Sequence, residues 1–169
     1  VELMELAVPM VIALNMMDEA DRLGIHIDVE KLVDFLGIPV IPMIASKGRG
    51  IQPLFVKAYK IGQKKAVPNH PEFSQDIEKA LAILENELKD VQSYLNPRAL
   101  AIKLVEGDKE ILEDITRQLP TIAKDLKDVQ DSLHHQRGRT MDWIITGERS
   151  SLADQISGTV TIRGKRKIT

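Results

Sequence analysis

Two short apolar runs, separated by an amphipathic segment, restrict the first third of the chain to a parallel α/β arrangement. The first run, Met10–Leu14, precedes the tetrapeptide Asn15–Asp18, and the second, Val40–Ile44, precedes the loop Ala45–Gly50. Continuous apolar runs of this length are typical of strands that are buried on both faces. Because open α/β sheets bind ligands at the carboxyl ends of their strands, we expect the tetrapeptide and the loop to lie at one edge of a sheet.

The segment between the two runs predicts a short exposed helical turn at residues 19–22, which Gly24 ends, and then one amphipathic helix. Asp28 is a candidate N-cap, and Gly37 stands where a glycine commonly ends a helix. Apolar residues between them recur at the spacing of one helical face, at Val29, Leu32, Val33 and Leu36. Strand, helix and strand with short connections predict a right-handed βαβ unit with parallel strands.

The second half of the chain has a different character. Residues 63–71 are polar, contain two prolines and show no periodicity, which indicates a linker. Apolar residues then alternate spacings of four and three from Ile77 to Leu95, which predicts one long helix. Shorter helical stripes follow, with Pro97 as the first residue of the next helix. The fold class is therefore α/β followed by all-α: a partial parallel sheet in residues 1–62 and a C-terminal helical bundle domain in residues 72–158.

Composition excludes several functional classes. The 169 residues contain no Cys, so disulfides and thiol catalysis are excluded, and the net charge of −2 gives no indication of a nucleic-acid partner. No apolar run reaches the roughly 18 residues of a membrane-spanning helix. His134 and His135 are adjacent, so they do not share a helix face and make a poor metal pair; we predict no metal site. Residues 159–169 form a basic tail with Arg163 and Lys165–Lys167.

The side chains of Asn15 and Asp18 carry hydrogen-bonding groups that suit guanine. An ionised carboxylate accepts hydrogen bonds from N1–H and from the N2 amine of guanine together, and adenine lacks that pair of donors. An Asn beside it can meet N7 of the base and brace the neighbouring loop, while Met16 and Met17 supply apolar area. Taken alone, however, an Asn and an Asp also end strands and cap helices without binding a ligand.

The loop Ala45–Gly50 strengthens the guanine interpretation. A backbone N–H in such a loop can donate to O6 of guanine, where adenine carries an amine. Gly48 and Gly50 allow the loop to turn and to approach a ligand closely. The alternative is a flexible connection between a strand and a helix, but both motifs follow consecutive strands in the order that a guanine site requires.

These residues also carry a family resemblance. Asn15–Asp18 followed by Ser46–Ile51 resembles the G domain of the bacterial ferrous-iron transport protein B (FeoB) family. Translational and Ras-like GTPases usually place Lys after the Asn, whereas this family resembles the present chain in placing Met there. Leu104–Asp108 is similar to the family's intracellular helical domain, and Ser150–Ile156 resembles the segment that leads towards its first transmembrane helix.

The resemblance implies a role for each part of the site. Asn15 and Asp18 contact the base of GTP or GDP, and the loop of Ala45, Ser46 and Lys47 closes over it. Family members often have Ser where Ala45 stands, so a hydroxyl that stabilises the loop is expected to be missing, while the Ser46 N–H remains available for O6. No Gly-x-x-x-x-Gly-Lys-Ser/Thr motif occurs in the sequence. We therefore expect base contacts only, no catalytic residue and no GTP hydrolysis by this chain alone, with Mg²⁺ bound only alongside a part that precedes it.

The resemblance also implies a wider assembly. Residues 1–62 become the C-terminal half of a GTPase (G) domain, and residues 159–169 become a basic segment close to a membrane. The implied function is that GTP binding and hydrolysis regulate Fe²⁺ uptake at the cytoplasmic face of the bacterial inner membrane. The implied partners are the rest of the transporter, small accessory proteins of the same system, and other copies of the chain. Two alternatives stay open: a non-catalytic helical interaction module with a degenerate nucleotide-binding half, and another type of GTPase with a helical appendage.

Overall fold

The structure is a computed structural model that describes residues 1–164. Its strands are β1 (Ile12–Leu14), β2 (Ile25–Ile27), β3 (Val40–Pro42) and β4 (Thr161–Arg163). Its helices are α1 (Glu2–Glu5), α2 (Met17–Arg22), α3 (Val29–Leu36), α4 (Ile51–Lys64), α5 (Gln75–Glu87), α6 (Pro97–Glu106), α7 (Lys109–Gln118), α8 (Ile122–Arg137) and α9 (Met141–Val160), and Ala45–Lys47 forms a 3₁₀ turn. The chain divides into an α/β unit and a helical unit, and the predicted fold class is confirmed.

The α/β unit comprises Ala7–His70 and, at the end of the described chain, residues 153–164. β1 and β3 pair in parallel, with Ala13 opposite Ile41, as predicted. The connection between them contains the unpredicted strand β2 in addition to α2 and α3. Helix α3 begins at the predicted cap, where a carboxylate oxygen of Asp28 accepts from the Lys31 N–H at 3.1 Å. It ends at Gly37, whose φ of 67° is in the left-handed region that glycine favours.

The end of the predicted linker belongs to the α/β unit. The Asn69 side-chain amide donates to the carbonyl oxygens of Asp34 and Phe35 at 3.1 and 3.0 Å, and the Asn69 N–H donates to Leu36 O at 2.8 Å. These bonds satisfy carbonyls that the last turn of a helix leaves without intrahelical partners. Helix α4 also continues to Lys64, beyond the predicted domain end at residue 62.

The predicted basic tail is partly a strand. Residues 161–163 form β4, which pairs antiparallel with β2 so that His26 lies opposite Ile162. The prediction of a tail beginning at residue 159 is wrong for these residues, because their backbone groups bond to another strand. Lys165–Lys167 lie outside the described residues. Within residues 1–164, no helix has the length and apolar character needed to cross a membrane.

The helical unit comprises Val1–Leu6 and Pro71–Leu152. Its core is aliphatic, and the fully buried side chains include Ile77, Leu81, Leu84, Leu100, Ile102, Leu104, Ile115, Ile122 and Leu133. The first six residues belong to this unit rather than to the α/β unit, since the Asn96 side-chain amide donates to the backbone oxygens of Glu5 and Leu6 at 3.1 and 3.0 Å. The structure thus groups residues 1–6 with the helical unit, whereas the first domain was predicted to begin at residue 1.

Helix α5 is shorter than predicted. It ends at Glu87, although the apolar pattern that predicted it continues to Leu95. The side chain of Gln118 accepts from the Gln92 N–H at 3.0 Å and donates to Gln92 O at 3.1 Å, which replaces helical backbone bonds in this segment. Val91 and Leu95 still pack against the core. The side chains of Val91 and Leu95 thus continue the apolar pattern of α5, although the backbone at these residues is not helical.

Gly50, at the start of α4, has a conformation and surroundings that exclude other residues. Its φ is 85°, and a Cβ atom there would lie 2.5 Å from Met43 Cβ and 2.7 Å from Pro42 O. Gly48, with φ of 69°, has open space around it. We predict that Gly48→Ala lowers the free energy of unfolding of the α/β unit by about 1–2 kcal/mol, the cost of a left-handed L-residue. Gly50→Ala should cost more, because the clash adds to that strain.

Urea unfolding of the two glycine variants, followed by the amide signals of the α/β unit, provides the measurement. Equal loss of stability in the two variants would show that the close approach of Gly50 to Met43 does not constrain the loop.

Candidate nucleotide-base site

The turn after β1 places the tetrapeptide at the edge of the parallel sheet. Met16 has a left-handed backbone, with φ of 62°, and α2 starts at the next residue. This reversal leaves Asn15 outside the helix, where its side-chain oxygen accepts from the Ala45 N–H at 3.0 Å. Asn15 therefore braces the loop that follows β3, which is the bracing role that its chemistry predicts.

The loop after β3 is closed by its own backbone. Ile44 and Arg49 exchange two hydrogen bonds, of 3.0 and 3.2 Å, around the 3₁₀ turn of Ala45–Lys47. The loop is joined to the first turn because the Met17 N–H donates to Met43 O at 3.3 Å. The two motifs, separated by 30 residues in the sequence, thus form one continuous surface.

An ion pair connects the same two segments. Lys47 Nζ lies 2.6 Å from one carboxylate oxygen of Asp18, and the other oxygen accepts from the Glu19 N–H at 3.1 Å. The hydrogen bond from Lys47 lowers the pKa of the Asp18 carboxyl below its ordinary value. Asp18 is therefore ionised at neutral pH and can act only as a hydrogen-bond acceptor.

An open cavity lies between the turn and the loop. Its lining residues are Asn15, Met16, Asp18, Glu19, Arg22, Ile44, Ser46 and Lys47, and its volume is about 480 Å³, within the range of about 300–1,000 Å³ that is usual for small-molecule pockets. Met17 and Ala45 do not line the cavity; they contribute the backbone N–H groups that join its walls.

Three of the lining residues were not among the predicted site residues. Arg22 and Glu19 form a side-chain pair on α2, with Arg22 Nε 2.8 Å from a Glu19 oxygen, and Ile44 precedes the 3₁₀ turn. The spacing of three between Glu19 and Arg22 predicts a pair on one helix face. That spacing gives no sign of which way the pair faces, so the sequence could not assign it to the cavity.

The adjacent histidines His134 and His135 belong to the helical unit. Among residues 1–164, no group of three or more His, Asp or Glu side chains is arranged to hold a metal ion. His134 is in the last turn of α8, where one of its ring nitrogens lies 2.9 Å from Arg139 O. The cavity itself can accept hydrogen bonds at Asp18 and offers apolar contact at Met16, and both suit a flat base with donor groups on one edge.

Solved structures share this architecture. A crystal structure of a mutant NFeoB from S. thermophilus bound to GDP has a TM-score of 0.84 and 25% identity, covering 95% of this chain and 62% of that one. The mGMPPNP-bound NFeoB from S. thermophilus gives 0.82 and 25%, covering 97% and 61%. The cytosolic domain of L. pneumophila FeoB gives 0.71 and 28%, covering 96% and 61%.

Sequence comparisons also find FeoB proteins, from other organisms. An Fe(2+) transport protein A/Fe(2+) transporter FeoB fusion protein of Porphyromonas gingivalis is 36% identical over 116 residues, which are 65% of this chain and 14% of that protein. The Fe(2+) transporter FeoB of Escherichia coli is 29% identical over 110 residues, with coverage of 63% and 14%. The matched part is thus a small share of the length of these curated relatives.

Fold and site together define the class of this protein, which has a parallel α/β unit with an open cavity at the carboxyl edge of its sheet, followed by a helical unit. The family model for ferrous iron transport protein B matches residues 1–58, and the model for the FeoB cytosolic helical domain matches residues 73–162. The chain belongs to the FeoB family.

Proposed function

We propose that the cavity between residues 15–18 and residues 44–47 binds the base of a guanine nucleotide. The observation that carries the proposal is the ionised carboxylate of Asp18, held at the sheet edge beside the loop that Asn15 braces. The S. thermophilus relatives were solved with GDP or mGMPPNP bound, which supports a guanine nucleotide as the ligand.

Each contact in this proposal has a physical reason. The two oxygens of Asp18 accept from N1–H and the N2 amine of guanine, which excludes adenine because adenine lacks those donors. The N–H of Ser46 donates to O6 of the base. Met16, with 61% of its surface exposed in the structure, covers a face of the base and loses contact with water when the base binds.

The proposal extends to the longer protein that the relatives represent. This chain would be the base-reading part of the cytosolic portion of a ferrous-iron transporter, at the cytoplasmic face of the membrane. Phosphate contacts, Mg²⁺ and hydrolysis would come from other parts of the protein, and the nucleotide state would regulate passage of Fe²⁺. Its partners would be the remainder of the transporter, accessory proteins of the same iron system, and other copies of the chain.

A nucleoside titration tests the base preference without any need for phosphate contacts. We predict that the 169-residue chain binds guanosine weakly and in preference to adenosine, because the base supplies the specific contacts. Changes in amide chemical shifts provide the measurement at these low affinities. Equal responses to the two nucleosides would contradict the proposal.

A further inference from the structure

The carboxylate that should read guanine already has partners in the structure. One oxygen of Asp18 accepts from the Lys47 ammonium at 2.6 Å, and the other accepts from the Glu19 N–H at 3.1 Å. Guanine offers two donors side by side, so it needs both oxygens along one edge of the carboxylate. The base and the Lys47 ammonium therefore have the same target.

The backbone of the 3₁₀ turn places Lys47 beside Asp18, and the lysine side chain is not held there by packing against other residues. It is the last residue of the 3₁₀ turn, immediately before Gly48, whose left-handed conformation reverses the chain. Its side chain is 56% exposed and that of Asp18 is 38% exposed. Both groups are accessible to solvent, and the four-carbon stem of Lys47 lets the ammonium leave the carboxylate without any change in the loop backbone.

The other cation that lines the cavity is committed elsewhere. Arg22 binds the Glu19 carboxylate through two of its nitrogens, while Lys47 is the cation paired with Asp18. The ion pair forms a third connection between turn and loop, in addition to the bonds from the Ala45 N–H to Asn15 and from the Met17 N–H to Met43 O. If the Asn15 bond persists, loss of the ion pair leaves the two walls joined.

We propose that the Lys47 ammonium occupies the guanine subsite of Asp18 and that the base displaces it on binding. The inference rests on the proposed function, because it concerns the same carboxylate. Lys47 thereby acts as a competitive internal ligand, which lowers the affinity for guanine and keeps the Asp18 carboxylate paired while the site is empty. For an exposed ion pair, the reduction in affinity is about two- to fivefold.

The competing role for Lys47 is that of a positioning residue, which would fix the carboxylate in the orientation that the base needs. The two roles differ in sign. Removal of an internal competitor strengthens guanine binding, whereas removal of a positioning residue weakens it. They also differ in salt dependence, because salt screens an exposed ion pair and so releases the carboxylate for the base only in the first case.

Lys47→Met in the 169-residue chain separates these roles, because Met keeps most of the aliphatic stem and removes the charge. Guanosine is the appropriate probe, since it carries no phosphate and its own binding is not ionic. We expect Lys47→Met to bind guanosine about two- to fivefold more tightly than the unaltered chain. A second measurement compares low salt with about 0.5 M salt, which screens the ion pair. We expect the ratio of guanosine affinity to adenosine affinity to rise with salt in the unaltered chain. In Lys47→Met, which lacks the ion pair, the same ratio should stay constant.

Two further variants make the result decisive. Lys47→Gln removes the charge without adding an apolar surface, so tighter binding in both variants assigns the effect to the charge. Lys60→Met makes the same substitution at an exposed position of α4 and should change nothing. Weaker or unchanged guanosine binding in both Lys47 variants overturns the inference and leaves the proposed function intact. A lack of preference for guanosine in every chain, including the unaltered one, overturns the proposed function itself.

Discussion

The Asp18→Asn variant is expected to lose its preference for guanosine and to gain a preference for xanthosine. Guanine presents donors at N1 and N2, which suit a carboxylate with two acceptor oxygens. Xanthine has an oxygen in place of the N2 amine, so it presents one donor and one acceptor. The carboxamide of Asn offers the matching acceptor and donor. Because each lost bond is charge-assisted, guanosine binding should weaken about tenfold or more.

Titration of the unaltered chain and of the Asp18→Asn variant with guanosine and with xanthosine measures this change in base preference. Asp34→Asn provides the matched control, since it makes the same change at an exposed position of α3 outside the cavity. A variant at Asp18 that still prefers guanosine would remove this carboxylate from the site, and an effect of equal size at Asp34 would make the result nonspecific.

The Arg149→Met variant is expected to destabilise the helical unit by about 3–5 kcal/mol, the usual cost of breaking a buried ion pair by removing one partner. Arg149 holds Glu5 of α1 through contacts of 2.8 and 2.7 Å and also pairs with Glu106 of α6. The Glu5 side chain is only 3% exposed. Its charge would be left buried without its cation, and the attachment of α1 to the unit would weaken.

Urea unfolding followed by circular dichroism measures this loss. Arg117→Met is the matched control, because Arg117 is 74% exposed and its contact with Asp114 is 3.9 Å long; its effect should be under about 1 kcal/mol. Addition of Glu5→Gln to Arg149→Met should restore part of the stability, since the uncompensated charge is then absent. No recovery in the double variant would assign the loss to packing instead of charge.

Local pattern was sufficient to predict the centre of the α/β unit. The spacing of apolar residues in 29–36, with a cap at Asp28 and a glycine at Gly37, defined α3 as it is found. The short apolar runs on either side formed parallel strands in one sheet. Each of these elements is defined by residues within a few positions of each other, so the local sequence pattern predicts it. The pairing of the two strands is not local, and it was predicted from the rule that a helical crossover joins parallel strands.

Features that depend on distant residues were missed. Ile25–Ile27 is too short to show strand alternation, and its partner strand lies more than 130 residues later, within a segment that composition indicates to be a basic tail. The prediction that α5 continues to Leu95 was also wrong, because Val91 and Leu95 are partly buried without being helical. Burial periodicity reports which side chains face the core and does not require a continuous helix.

Five of the predicted site residues line one cavity: Asn15, Met16, Asp18, Ser46 and Lys47. Their proximity could be predicted because the sequence shows which residues follow the end of a strand. Asn15, Asp18 and the 3₁₀ turn lie where the two parallel strands β1 and β3 end. The ion pair between Lys47 and Asp18 could not be read in the same way. It depends on the direction of two long side chains separated by 29 positions, and the sequence carries no periodic signal for such a contact.

A residue-resolved guanosine titration tests the central claim most directly. If the turn and the loop bind the base, the amide signals of residues 15–18 and 44–47 should shift together with guanosine, and adenosine should produce smaller shifts at the same positions. Guanosine-induced shifts confined to the helical unit, for example in the groove between α5 and α8 that Ala80, Val129 and Leu133 line, would contradict it.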